Sequence, residues 1–159
     1  MKRVMALGLV ILTAPLSAGA EVALQEVNGC IENARSLGTS PMSCVDNAHV
    51  PCLEIPAETP NVATLCFKEA QDTWSGGMSN ALDMIKGSLP DIAPIASIEV
   101  KYDLLSGLLQ CDRMAELATL QNAEDEQILL QKTRCSATAS GLAYVRLVWR
   151  APEGATHAD

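Results

Sequence analysis

The sequence has few aromatic, histidine and basic residues, and each shortage excludes a class of structure or function. One Phe, two Tyr and two Trp are sparse for a core, so we expect disulfides to compensate by restricting the unfolded chain. With 11 Lys and Arg against 19 Asp and Glu, the chain has no basic stripe to bind phosphates, which argues against nucleic acid as a partner. No apolar run is long enough to span a bilayer.

Residues that could support catalysis or bind a metal are also scarce. His49 and His157 are the two histidines, and we interpret His49 as a polar loop residue and place His157 in a C-terminal tail. The chain lacks both the C-x-x-C motif of redox sites and the spacing of zinc ligands. The acidic run Glu124–Glu126 lies at the predicted start of a helix, where negative side chains interact favourably with the helix dipole, so it needs no catalytic explanation. We therefore predict no catalytic, cofactor-binding or metal-binding residues and expect no enzymatic activity.

The first 20 residues have the pattern of a secretory signal peptide. Lys2 and Arg3 precede an apolar run over residues 4–12, and small residues lead to Ala20. Cleavage after Ala20 would leave one domain over residues 21–150 and a flexible tail over 151–159. Because Ala20 stands where a lipoprotein signal has Cys, we expect no lipid anchor. The predicted mature protein is periplasmic or secreted, is not inserted in the membrane, and has nine basic and 19 acidic residues, a net charge of −10.

Six cysteines in an exported chain predict three disulfides, because the count is even and the compartment is oxidising. Fifteen pairings are formally open. A turn around Gln121-Asn122 between two antiparallel helices would bring the last two cysteines together. The same argument from short separation in the sequence pairs each of the other four cysteines with its neighbour along the chain. The preferred set is Cys30–Cys44, Cys52–Cys66 and Cys111–Cys135.

Helical periodicity dominates the sequence, and no strand-like alternation of any length occurs. Long helices are predicted from about 59 to 87, from 91 to 117 and from 124 to 149, after a short helix over 22–37 and another that bears Cys44, with Ser40 as its cap. Residues 50–58 are predicted to be irregular. The fold class is therefore an all-α bundle of about three long and two short helices, stapled by up to three disulfides.

One apolar stripe on each long helix is expected to form the core, because each helix must bury one face. The stripes consist of Val62, Cys66, Ala70, Trp74, Met78, Ala81 and Ile85 on the first helix, Ile95, Ile98, Tyr102, Leu105 and Leu109 on the second, and Ile128, Cys135, Leu142 and Trp149 on the third.

The cysteine-bearing segments resemble the LprI-type lysozyme inhibitor family of small exported bacterial proteins. The resemblance rests on Cys30, on the segment from Cys44 to Cys52, and on the helix in which Cys66 is followed by Glu69 and Trp74. It continues through the closing cysteine pair to the last helix. Ser79 and Leu82 stand where the family usually has Asn and Tyr. Asp103, Gly107 and Leu108 stand where it often has Trp and Arg-Asp.

The resemblance implies a protein that binds and blocks a lysozyme. Lysozymes are commonly basic, so an acidic inhibitor would attract them over long range. The acidic residues expected to contact such a partner lie in the predicted irregular segment and near it, at Asp46, Glu54 and Glu58. The alternative is a non-catalytic interaction or structural module of the envelope with no lysozyme target. Binding of a lysozyme at moderate salt would distinguish the two.

Overall fold

The computed structural model describes residues 22–152, which form five α-helices and no strand. They are α1 (Leu24–Leu37), α2 (Ser43–Leu53), α3 (Pro60–Ser88), α4 (Ala93–Leu120) and α5 (Asp125–Arg150). The predicted all-α class with three disulfides is thus confirmed. The predicted signal peptide and residues 153–159 of the predicted tail lie outside the described residues. Ala151, at the start of that tail, is buried.

The helix ends follow local chemistry. Gly38 ends α1 in the left-handed conformation, with φ of 65°, and its N–H bonds back to the carbonyls of Ala34 and Arg35. Pro60 begins α3, where its missing N–H costs no helical hydrogen bond. Thr59 is the N-cap residue, but its hydroxyl donates to the carbonyl of Pro56 across 2.9 Å and does not cap the helix.

Helices α3 and α5 form the centre of the bundle, because each of them contacts all of the other four helices. The buried side of α5 is rich in small residues, which lets neighbours approach closely. At Gly141 an added Cβ would lie 2.7 Å from Cγ1 of Val45 and 3.0 Å from Cε2 of Trp74. Only a glycine therefore lets α2 and α3 meet α5 at this depth without a shift.

Helices α4 and α5 form an antiparallel hairpin that turns at Asn122, which adopts φ of 57°. The Cβ of Ala139 would lie 2.7 Å from a Cβ added at Gly107, so the two backbones are close. The hairpin is held by one disulfide and by ion pairs between its helices, namely Cys111–Cys135, Asp112–Lys132, Asp103–Arg146, Asp103–Arg150 and Glu99–Arg150.

The predicted core stripe of α3 is right except at its first residue. The six residues from Cys66 to Ile85 in that stripe are buried, whereas Val62 is exposed. On α5 the predicted heptad lies at the flank of the buried face. Its members are only partly buried, while Ser136, Ala137 and Ser140 are among the buried residues. Small and polar residues hold that face because they allow close helix packing, which hydropathy does not reveal.

The predicted core stripe of α4 is wrong. Ile95, Ile98, Tyr102, Leu105 and Leu109 are between 45 and 70 % exposed. The opposite side of α4, with Val100, Gly107 and Cys111, faces α5. The physical reason is that the Gly107–Ala139 contact and the disulfide determine which face docks, and the apolar stripe is on the other one.

Helix α2 is longer than predicted. It continues to Leu53 through Pro51, which lies in its last turn and removes only one helical N–H. The N-cap residue is Met42 and not Ser40, whose hydroxyl accepts a bond from the Met42 N–H at 3.5 Å. The segment predicted to be irregular is therefore reduced to the connection between Leu53 and Pro60.

Candidate protein-binding surface

Helix α2 is anchored at both ends by disulfides. Cys44 joins it to Cys30 on α1, and Cys52 joins it to Cys66 on α3. This is the pairing expected from the local spacing. A short helix fixed at two points to two different helices loses much of its freedom to move. Its outer face therefore has a defined position relative to the first turns of α3.

A buried hydrogen bond fixes the middle of α2. The indole Nε1–H of Trp74 donates to Nε2 of His49 across 3.0 Å, and both side chains are buried. The His49 ring also packs edge-on against Phe67, with 5.5 Å between centroids. His49 was predicted to be a polar loop residue. That prediction is wrong, because α2 continues past it and turns its imidazole towards α3.

The environment of His49 favours its neutral form. Burial lowers the pKa of His49 below its ordinary value of 6.5, the nearby charge of Asp46 acts in the opposite sense, and Arg134 adds to the lowering. Since Nε2 accepts the indole hydrogen, the remaining proton of the neutral ring is on Nδ1. The lone pair that a general base would use is thus already engaged by Trp74.

The inward face of α2 determines which residues point outward. Cys44, Val45, His49 and Cys52 are buried, so Asp46, Val50 and Leu53 occupy the outer face at spacings of four and three residues. Val50 and Leu53 are 42 % and 43 % exposed. This face therefore combines a carboxylate with two accessible apolar side chains.

The three predicted partner-binding acids are all exposed. Asp46 lies in the first turn of α2, Glu54 is its C-cap residue, and Glu58 lies in the connection to α3. Glu69 is exposed on α3, three residues after Cys66. We name the exposed residues around the Cys52–Cys66 disulfide the α2–α3 corner: Asp46, Val50, Leu53, Glu54, Glu58, Val62, Leu65 and Glu69.

Charge is distributed unevenly along the described chain. Residues 22–90 contain eight acidic and three basic residues, a net charge of −5, whereas residues 91–152 contain eight and six, a net charge of −2. In the second part, Glu99, Asp103 and Asp112 form ion pairs with basic residues of α5. The first three helices therefore carry most of the negative field, and the α2–α3 corner is part of it.

Glu69 and Trp74, on which the predicted family resemblance depends, have different environments. Trp74 is fully buried and makes no part of any accessible surface. Its role here is to bind His49 and to pack against Tyr144, with ring centroids 5.5 Å apart. Glu69 is on the surface at the α2–α3 corner. Of the pair, only Glu69 is placed to contact a partner.

Sequence reasoning missed two polar contacts that hold α1 on the bundle. The Tyr144 hydroxyl donates to Oδ1 of Asn28 across 2.7 Å, and Arg35 donates to the carbonyls of Val148 and Trp149 at 3.2 and 3.0 Å. Burial raises the pKa of Tyr144, and the hydrogen bond to Asn28 acts in the opposite sense. The partners in each contact are more than 110 residues apart, so no local pattern could have revealed them.

A groove of about 590 Å³ lies between α1 and α3 beside the Asn28–Tyr144 hydrogen bond. Its walls carry amide side chains, including Gln25 and Asn80, and its floor includes Gly77.

Among residues 22–152 no group of three or more His, Cys, Asp or Glu residues is placed to bind a metal. In the same part of the chain, no helix has the length and apolar character needed to cross a membrane.

No protein family, curated protein or solved structure matches the chain. The resemblance to the LprI-type lysozyme inhibitors therefore stays a prediction from the cysteine spacing, Glu69 and Trp74.

Proposed function

We propose that this protein is exported, acts without catalysis, and binds and blocks a lysozyme through the α2–α3 corner. The observation that carries this proposal is an acidic and partly apolar surface on a helix fixed by two disulfides. A rigid surface of this kind binds with little loss of conformational entropy. The resemblance to the LprI-type family supplies the class of partner.

Export is supported by two independent features. The first 20 residues have the composition of a secretory signal, and all six cysteines are in disulfides, which persist in oxidising compartments. In the bacterial case that compartment is the periplasm or the exterior. A lysozyme that attacks the cell wall would meet the inhibitor there.

Electrostatics should govern the encounter. The field of the first three helices attracts a basic enzyme, and salt screens it over about 8 Å at physiological ionic strength. We expect association to be fast at low salt and slower as salt is added. The exposed Val50 and Leu53 would then contribute apolar contact once the surfaces meet.

The experiment is turnover of cell-wall substrate by lysozymes of several types, titrated with the oxidised chain from Glu21 onward. We expect stoichiometric inhibition that weakens with salt and with disulfide reduction. The triple variant Asp46→Lys, Glu54→Lys and Glu58→Lys should lose it.

The matched control is Asp83→Lys, Asp91→Lys and Glu116→Lys, which changes the net charge equally at exposed positions outside the corner. It should slow association only. If both triple variants inhibit equally well, the α2–α3 corner is not the binding surface. If the oxidised helical protein inhibits none of the enzymes, the proposal fails and the envelope interaction module is favoured.

A further inference from the structure

The outer face of α4 is apolar and exposed. Its residues form a stripe that we name the α4 seam: Ile95, Ile98, Tyr102, Leu105 and Leu109. Each is between 45 and 70 % exposed, and together they lie directly opposite the side of α4 that packs on α5. Monomeric proteins rarely expose continuous apolar patches beyond a few hundred Å². A stripe of five large apolar side chains on one helix indicates a surface that another molecule covers when the protein is in its functional state.

The spacing of the seam residues indicates that the element which covers them is a helix. The intervals between successive members are three, four, three and four residues, which is the a and d pattern of a heptad repeat. Such a seam fits a second helix that crosses at a small angle and carries the same pattern. In the described chain, α4 contacts α5 and α3 but leaves this face open.

The charges beside the α4 seam bear on whether the second helix could come from another copy of this chain. The protein is acidic overall, so two copies repel each other over most of their surface. Beside the seam, however, Lys101 and Asp112 lie on one flank, and Glu99 and Arg113 lie on the other. Asp91 and Glu116 continue the line of the seam beyond its two ends. Glu99 is also held by Arg150 of α5 at 3.4 Å. Each flank thus carries both signs, so a second copy in an antiparallel arrangement can match them, and like charges meet only at the two ends of the seam.

We propose that two copies of this chain pair through their α4 seams in an antiparallel arrangement. Aligning Tyr102 of one copy with Leu105 of the other buries Ile98 against Leu109 on both sides of a twofold axis. Glu99 then lies about 7.5 Å along the axis from Arg113 of the second copy, at 1.5 Å per residue. The two side chains lean towards each other, because each points to the N-terminus of its own helix.

This proposal does not depend on lysozyme binding. The α4 seam and the α2–α3 corner are on different helices, and α4 makes no contact with α2. A dimer would therefore present two corners, each free to bind a partner. Loss of inhibition with an intact dimer, or the reverse, separates the failure of one proposal from the failure of the other.

The first test is sedimentation of the oxidised chain from Glu21 onward across the micromolar range. We expect a reversible dimer. Ile98→Glu or Leu109→Glu should weaken it by at least about a hundredfold, because each buries an unpaired charge. Leu37→Glu is the control, since Leu37 on α1 is 66 % exposed, Leu109 is 65 % exposed, and Leu37 is in neither the seam nor the corner. Circular dichroism of each variant verifies that the helices form.

The second test concerns orientation. Glu99→Arg and Arg113→Glu should each weaken the dimer, and the double variant should restore it, because the charges are then exchanged. Absence of rescue would overturn the antiparallel arrangement. A monomer at every concentration, a dimer that survives both seam substitutions, or capture of the seam by phosphatidylglycerol vesicles in place of a second copy would overturn the proposal.

Discussion

Trp74 and His49 are joined by a 3.0 Å hydrogen bond in which the imidazole is the acceptor. This bond exists only while Nε2 is unprotonated. Because the pKa of His49 is lowered in the folded protein, the unfolded chain binds a proton more readily than the folded one below pH 6.5. Stability should be unaffected by this group above pH 6.5 and should fall as the pH drops below it.

The measurement is denaturant unfolding between pH 7.5 and pH 5. Through this single group, the free energy of unfolding should change with pH by a slope that approaches about 1.4 kcal/mol per pH unit. This is the limit for about one proton taken up on unfolding. His49→Gln keeps an acceptor for the indole but cannot titrate, so it should flatten the profile in this window. A profile that is the same in both proteins would contradict the assignment of His49 as the titrating group.

A single methyl group at Gly141 should destabilise the bundle. Gly141→Ala places a Cβ 2.7 Å from Val45 and 3.0 Å from Trp74, so we expect a loss of about 1–3 kcal/mol from overpacking. Gly76→Ala is the control. Gly76 is also within a helix, but an added Cβ meets nothing within 4 Å, and we expect a gain of about 0.5–1 kcal/mol. Thermal unfolding of the two variants should move in opposite directions.

Arg35 should stabilise the end of α5. It donates to the carbonyls of Val148 and Trp149 and stacks 5.3 Å from the centroid of the Trp149 ring. Arg35→Ala leaves those carbonyls without this donor, which should cost about 1–3 kcal/mol in the free energy of unfolding. Lys68→Ala breaks only an exposed 3.9 Å pair with Asp72 and should cost less than about 0.5 kcal/mol. Equal losses would show that the Arg35 contacts contribute nothing specific.

Removal of the Cys111–Cys135 disulfide should loosen α4 more than the other helices. Replacing both cysteines with Ala should cost about 3.5 kcal/mol, from the loop-closure entropy of a separation of 24 residues. Hydrogen exchange should then accelerate mainly in α4, since this helix has most of its contacts with α5 alone. Replacing Cys30 and Cys44 should leave exchange in α4 unchanged. Uniform acceleration in both variants would contradict this local role.

The sequence predicted the helical class and the α3 core because both depend on local order. Helix stop signals such as Gly38 act within one turn, and the buried face of α3 is apolar at a regular helical interval. The pairing of cysteines that are consecutive along the chain was also predicted, because their separations in the sequence are short. Periodicity also located the apolar stripe of α4, but it could not say which side of the helix faces α5.

The remaining features depend on contacts between distant parts of the chain. Which face of α4 docks is decided by the close approach of Gly107 to Ala139, and small residues carry no hydropathy signal of this kind. His49 looked like a loop residue because the segment after it was predicted to be irregular, yet Trp74 offers a buried donor 25 residues later. The acids of the candidate surface were identified by charge alone. Their arrangement around the Cys52–Cys66 disulfide required the structure.

Each disulfide joins a cysteine to the next one along the chain, from Cys30 to Cys44, from Cys52 to Cys66 and from Cys111 to Cys135. In a chain that crosses a membrane with its amino end first, every thiol therefore meets its correct partner before any later thiol has arrived. Oxidation in order of emergence yields the native connectivity directly. For a chain exported in this way, as we propose, assembly would require an oxidant but no isomerase to exchange wrongly formed bonds.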